Sequence, residues 1–168
     1  TMPPSVPGIR SQMQLKSEFE KAGGRFFLGD SVIDAEYDEA GEVKSVGTAN
    51  FGDIRLYADN FVLATGSFFS KGLVATPEKV TEPVFGVDLI INEGRENWFD
   101  RNFWKKQNYI SFGAAVNENL NVSVEGKTIT NLYAAGSIIG GYNALYEGSG
   151  GGVAIVTAMK TADMILEK

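Results

Sequence analysis

The sequence predicts an α/β protein: a mixed sheet with a β meander and a C-terminal helix. Three observations carry that expectation. Two short, nearly uninterrupted apolar runs, Phe61-Val62-Leu63-Ala64 and Leu132-Tyr133-Ala134-Ala135, read as strands buried on both faces, and they close in matching endings, Ala64-Thr65-Gly66-Ser67 and Ala134-Ala135-Gly136-Ser137. Between residues 32 and 57 apolar and polar side chains alternate, interrupted by turn residues. After Gly148-Ser149-Gly150-Gly151-Gly152, the residues Ile155, Met159, Ala162 and Leu166 form one stripe at helical spacing.

Taken in order, Thr1 to Gly8 holds Pro3, Pro4 and Pro7 and reads as an extended entry, as though cut from something longer. Ile9 to Ala22 reads as a helix with Leu15, Phe19 and Ala22 on one face and Gly23-Gly24 as its stop; Ser5 or the Pro7-Gly8 turn starts it. Arg25 to Leu28 is a short apolar strand, and residues 32–37 and 43–48 flank the turn chemistry of Asp38-Glu39-Ala40-Gly41 as a β-hairpin. Residues 54–57 are a further strand, completing the meander. Residues 67–128 are rich in aromatics (Phe68, Phe69, Trp98, Phe99, Phe103, Trp104, Tyr109, Phe112) and broken by Pro77 and Pro83. Such an insertion either lines a pocket, docks a partner or forms a satellite core under long loops. The chain thus divides into a helix plus meander at 1–66, an aromatic insertion or substrate and partner subdomain at 67–128, and a final strand, glycine loop and helix at 129–168.

Composition narrows the chemistry. With 168 residues, 43% of them apolar, and a net charge of −6, the chain can bury a core and lacks the basic footprint of a nucleic-acid binder. No apolar run is long enough to cross a bilayer. There is no cysteine and no histidine, which removes disulfides, iron–sulfur ligation, thiolate zinc sites and the commonest general base; no metal site is expected and no catalytic residue is assigned. Arg10, in the first turn of its helix, and Arg101, with Arg95, Lys105 and Lys106 among the aromatics, are either anion ligands or solvated charges.

The final segment carries the sharpest signal. A strand, a glycine-rich crossing and a helix start put bare backbone and unpaired N–H groups where an anionic or electron-rich ligand can approach. The spacing of Gly148, Gly150 and Val153 does not fit the usual dinucleotide fingerprint, so the pattern by itself does not name the ligand.

The order of elements resembles the C-terminal part of an FAD/NAD(P)-binding-type fold, as in two-domain FAD-dependent oxidoreductases. More narrowly, residues 3–10 (PPSVPGIR), 64–75 (ATGSFFSKGLVA), 82–88 (EPVFGVD) and 148–153 (GSGGGV) resemble the B subunits of anaerobic glycerol-3-phosphate dehydrogenase. The resemblance implies a flavin, FMN or FAD, and oxidation of sn-glycerol 3-phosphate to dihydroxyacetone phosphate with electrons passed to quinone. It implies a catalytic flavoprotein subunit and a membrane-associated iron–sulfur subunit as partners, and a cytoplasmic location or a peripheral one at the inner membrane through a partner. It places Gly66 and Ser67 against the phosphate and ribose side of the cofactor, and Val32 beside the adenine. Gly136 and Ser137 would approach the pyrophosphate and ribityl chain, while Gly150, Gly151 and Gly152 would face the pyrimidine edge of the ring. Ser137 stands where many FAD proteins carry an acidic residue. The N-terminal half of such proteins is not in this sequence, so the chain is expected to be a C-terminal region, inactive by itself. The rival expectations are a non-catalytic flavoprotein-like scaffold holding a catalytic partner, and a fumarate-reductase-like flavoenzyme.

Overall fold

A computed structural model describes residues 5–167, so Pro3 and Pro4 of the expected extended entry lie outside the described residues. The chain falls into two compact units, one up to Ser31 and one from Val32 onward.

In the first unit, helix α1 (Val6–Lys21) begins at Val6, and residues 6–8 are helical rather than extended. Pro7 does not prevent this, because the first turn needs no backbone donor there. Ser5 caps the helix, its hydroxyl accepting from the Gly8 N–H at 3.2 Å. Gly23, at φ +90°, turns the chain away, as the Gly-Gly stop predicted. The strand expected at Arg25–Leu28 does not form. An apolar run becomes a strand only when a neighbouring edge takes its backbone hydrogen bonds, and the described part of this unit contains no strand.

The second unit opens with the expected meander: β1 (Val32–Tyr37), β2 (Val43–Thr48) and β3 (Arg55–Tyr57), antiparallel in that spatial order. Asp38 makes the hairpin turn, its carboxylate accepting from the Glu42 N–H at 2.9 Å. On one face Arg55 bridges Asp34 at 2.6 Å and Glu36 at 3.3 Å and donates to the buried Ser45 hydroxyl at 2.8 Å.

The strand β4 (Phe61–Leu63) leads into the insertion, where strand pairing is short: β5 (Val74–Ala75) pairs β6 (Val80–Thr81), and β7 (Leu89–Ile90) pairs β8 (Gly113–Ala114). Then β9 (Asn121–Val124) turns through Glu125 and Gly126, at φ +51° and +77°, into the long β10 (Lys127–Ala134). Positive φ at both turn residues matches the twist of a tight hairpin. The two buried runs of the sequence are neighbours here: β10 lies between β4 and β9, parallel to β4, with Leu132 opposite Phe61 and Ala134 opposite Leu63. Asn131 ties this sheet to the meander, accepting from the Val43 N–H at 3.0 Å and donating to the Val43 carbonyl at 2.8 Å.

The aromatic insertion divides. Phe68 and Trp98 pack on buried Phe112, Tyr109 packs edge-on against Phe68, and all join the core with Leu63, Leu73, Val122 and Leu132. Phe69, Phe103 and Trp104 are exposed. Past β10 come a single turn at Gly136–Ile138, the short α2 (Ala144–Glu147) and α3 (Gly150–Leu166). Gly150 to Gly152 therefore belong to the first turn of α3, not to the loop before it. The packed face of α3 also differs from the expected stripe: Thr161 is buried and Val153 and Thr157 are half-buried, whereas Ile155, Met159, Ala162 and Leu166 are exposed. The helix is apolar on most sides, so periodicity does not choose a face; a hydrogen bond does, because the Thr157 hydroxyl accepts from the Gly136 N–H at 2.9 Å.

Candidate functional site

Because β4 and β10 are adjacent and parallel, their carboxyl ends deliver the two matching turns to one place. Ligands in open α/β sheets bind at such ends. Gly66 has φ +77° and Gly136 φ +75°. Both are conformations that side-chain-bearing residues rarely adopt. A Cβ at Gly66 would collide with the Ser70 hydroxyl and come within 3.3 Å of the Ser137 hydroxyl. The two Gly-Ser turns therefore touch.

Between them opens a cavity with Ser67 and Ser137 on its wall alongside Phe68, Phe69, Tyr109 and Tyr142. Its lining is mainly apolar and aromatic with a few hydroxyls, the usual make-up of a small-molecule site. The Tyr142 hydroxyl is buried and makes no hydrogen bond among the described residues. Burial, and secondarily the Glu147 carboxylate, pushes its pKa above the ordinary tyrosine value. At neutral pH it is a protonated donor awaiting an acceptor, not a base.

The start of α3 adjoins the same place. Ala144 lines the cavity and lies 3.4 Å from where a Gly150 side chain would begin, and Gly136 sits 3.9 Å from the Ala154 side chain on the same measure. A Cβ at Gly151 or Gly152 would meet nothing within 4 Å. Ser149 makes no side-chain cap, so the first-turn N–H groups receive no local partner from it. These observations fit one flank of a flavin: bare backbone at two strand ends, an uncapped glycine helix start, and an apolar wall with an unsatisfied hydroxyl donor.

Of the residues singled out from sequence, Gly66, Ser67, Gly136 and Ser137 converge, with Gly150 to Gly152 beside them. Val32 is exposed on the outer strand of the meander and does not line this cavity. Arg10 is exposed on α1 of the first unit. Arg101 is exposed and does not line this cavity. From sequence, Tyr109 reads only as one aromatic of an insertion that could line a pocket, whereas Tyr142 and Asn143 were missed. A signal existed for the last: Asn143 followed by Glu147 is a helix-start pattern, and the Asn143 side chain accepts from the Tyr146 N–H at 3.0 Å while Glu147 accepts from the Asn143 N–H at 2.9 Å. Among the described residues no cluster of carboxylates could hold a metal ion, and no helix is long and apolar enough to cross a membrane.

Comparison with known proteins agrees with this geometry. A family profile described as an FAD binding domain matches residues 1–153. A protein of Haemophilus influenzae, named as the B subunit of anaerobic glycerol-3-phosphate dehydrogenase, is 46% identical over 173 aligned positions, covering 100% of this chain and 40% of that protein. Proteins of the same name from Histophilus somni and Vibrio vulnificus are 44% and 42% identical, covering 99% and 95% of this chain and 39% and 37% of theirs. The chain thus spans about 40% of the length of the curated relatives it matches.

Proposed function

The chain belongs to the FAD-binding domain family, and from that premise we propose that it forms the C-terminal flank of the flavin site in a B subunit of anaerobic glycerol-3-phosphate dehydrogenase. The observation that carries the reading is the meeting of the two Gly-Ser turns at the ends of parallel β4 and β10. When bound, a flavin, FAD or FMN, supplies two-electron acceptance from an alcohol carbon and onward transfer towards a quinone. Gly66 and Gly136 keep the backbone low enough for the cofactor's phosphates and ribityl chain to lie against it. Ser67 and Ser137 offer hydroxyls at that edge. Gly150 to Gly152 would direct helix N–H groups towards a bound flavin, a placement suited to stabilising negative charge. Phe68 and Tyr109 supply apolar wall to the cavity between.

In this reading the partners are a catalytic flavoprotein subunit and a membrane-associated iron–sulfur subunit, and the assembly sits at the inner membrane through the latter. A second reading, a flavin-bearing or scaffold subunit that leaves the proton chemistry to its partner, is favoured by the lining itself: the cavity wall carries no aspartate or glutamate, and the sequence has no histidine.

The test is the visible absorption spectrum of the full-length protein as purified, with mass identification of the released cofactor. A bound flavin supports the site and distinguishes FAD from FMN. A folded, colourless protein that refuses added flavin overturns it in favour of the scaffold.

A further inference from the structure

Beside the cavity, and sharing Tyr109, Ile110 and Leu145 with it, lies a second cleft between the 103–107 loop and α2. Its charge is one-sided. Lys105 and Lys106 line it, and no aspartate or glutamate does. Lys105 pairs with Asp100 at 3.6 Å, while Lys106 makes no ion pair among the described residues and stands 5.9 Å from the centre of the Tyr146 ring. In a chain of net charge −6, this is an uncompensated cation held at the mouth of an aromatic cleft.

A second donor is built in. Asn143 is 3% exposed and lines the cleft. Its side-chain oxygen is committed to capping α2, but its side-chain NH₂ donates to nothing among the described residues. That NH₂ group is left free to donate to a ligand in the cleft. The loop opposite is held in shape for one: Gln107 accepts from the Asp100 N–H at 2.9 Å and donates to the carbonyls of Asn102 and Lys105 at 3.1 and 3.0 Å. Glu147, the nearest acid in sequence, is engaged by the Asn143 N–H and by the Ser149 hydroxyl.

We propose that this cleft is the phosphate subsite for a small phosphomonoester substrate, with Lys106 supplying the charge and the Asn143 amide a directed hydrogen bond. The alcohol end of such a ligand would extend past Tyr109 and Leu145 into the cavity between the two Gly-Ser turns. Naming a phosphomonoester rests on the function proposed above; the anion site rests on the cleft alone.

Isothermal titration of the full-length protein with inorganic phosphate, sn-glycerol 3-phosphate and glycerol tests it. Both phosphates should bind saturably and compete, with glycerol at least tenfold weaker. Lys106→Gln should weaken both phosphates about tenfold, the scale of a charge-assisted hydrogen bond. Asn143→Asp keeps the helix cap but puts a carboxylate where the donor was, and should abolish phosphate binding with the circular dichroism of the wild type. Flavin content, measured on the same samples, should not change. Retained flavin with wild-type phosphate affinity in both variants overturns the subsite and leaves the cofactor reading standing. Loss of phosphate binding in both variants of a protein that holds no flavin keeps the subsite and overturns the cofactor reading. Absence of saturable phosphate binding in the wild type overturns the subsite outright.

Discussion

The turns after β4 and β10 have the same sequence ending and nearly the same backbone angle, yet they use glycine differently. After β4 the chain coils tightly: Ser70 and Gly72 donate from their N–H groups to the Ser67 carbonyl at 3.2 and 3.0 Å, and a Cβ on Gly72 would run into the Gly66 carbonyl. After β10 there is room, since a Cβ on Gly136 would have nothing nearer than Ala154, at 3.9 Å. The first turn needs glycine for space and for angle, the second for angle alone. What holds the second is a bond to another element, the Gly136 N–H donating to Thr157 of α3. A repeated motif can thus hide two different supports.

Substitutions should separate them. Gly72→Ala, which forces backbone against backbone, should cost the most, about 3 kcal/mol in chemical denaturation. Gly66→Ala should cost about 2 kcal/mol, from the strained angle plus the Ser70 clash, and Ser70→Gly in the same chain should return part of it. Gly136→Ala should cost about 1 kcal/mol from the angle alone. Equal losses at Gly66 and Gly136 would erase the distinction.

The hydrogen bond is tested next. Thr157→Val leaves the Gly136 N–H without its partner and should lower stability by about 1 kcal/mol, whereas Thr157→Ser should recover most of it. If valine is tolerated as well as serine, the second turn is not held by α3 in the way described. Gly151→Val tests the site without touching either turn. Its side chain meets open space, so far-ultraviolet dichroism should stay as in the wild type while flavin retention falls; unchanged flavin content would remove the helix start from the site.

The smallest effect concerns Tyr142, downstream of the second turn. Its folded pKa is raised by burial and by Glu147, and that of Tyr37 is raised by burial and by Glu82. The folded state keeps these protons longer than the unfolded chain does. Their stabilisation is complete below the ordinary tyrosine value of about 10 and is lost as pH rises through the folded pKa. Tyr142→Phe should therefore flatten, not remove, the fall in stability above pH 10, Tyr37 supplying the remainder. An unchanged alkaline slope would mean that Tyr142 is not buried against the cavity.

Much of the site could be read in advance, because its residues sit where local rules are strong. Gly66 and Gly136 follow apolar runs whose length and ending mark strand and turn, and Asp38 to Gly41 announces its hairpin. Other parts resisted for identifiable reasons. Arg25 to Leu28 has strand composition without a strand beside it. Val6 to Gly8 looks extended for its proline, though a first helical turn accommodates one. The aromatics of the insertion look alike in sequence, yet Phe68, Trp98, Tyr109 and Phe112 build core while Phe103 and Trp104 stand at the surface. Asn143 and Lys106 carry no local mark of partnership; only the cleft puts them together.

By itself, then, the sequence determined the α/β class, the meander, the two glycine-ended strands and a last helix following a glycine-rich stretch, since periodicity, turn chemistry and backbone freedom act within a few residues. Tertiary structure alone decided that β4 and β10 are parallel neighbours, that their turns touch, and that α3 presents Thr157 rather than its larger apolar side chains. Those outcomes depend on hydrogen bonds and contacts between segments some 70 residues apart for the strands and 21 for Gly136 and Thr157, which no local pattern encodes.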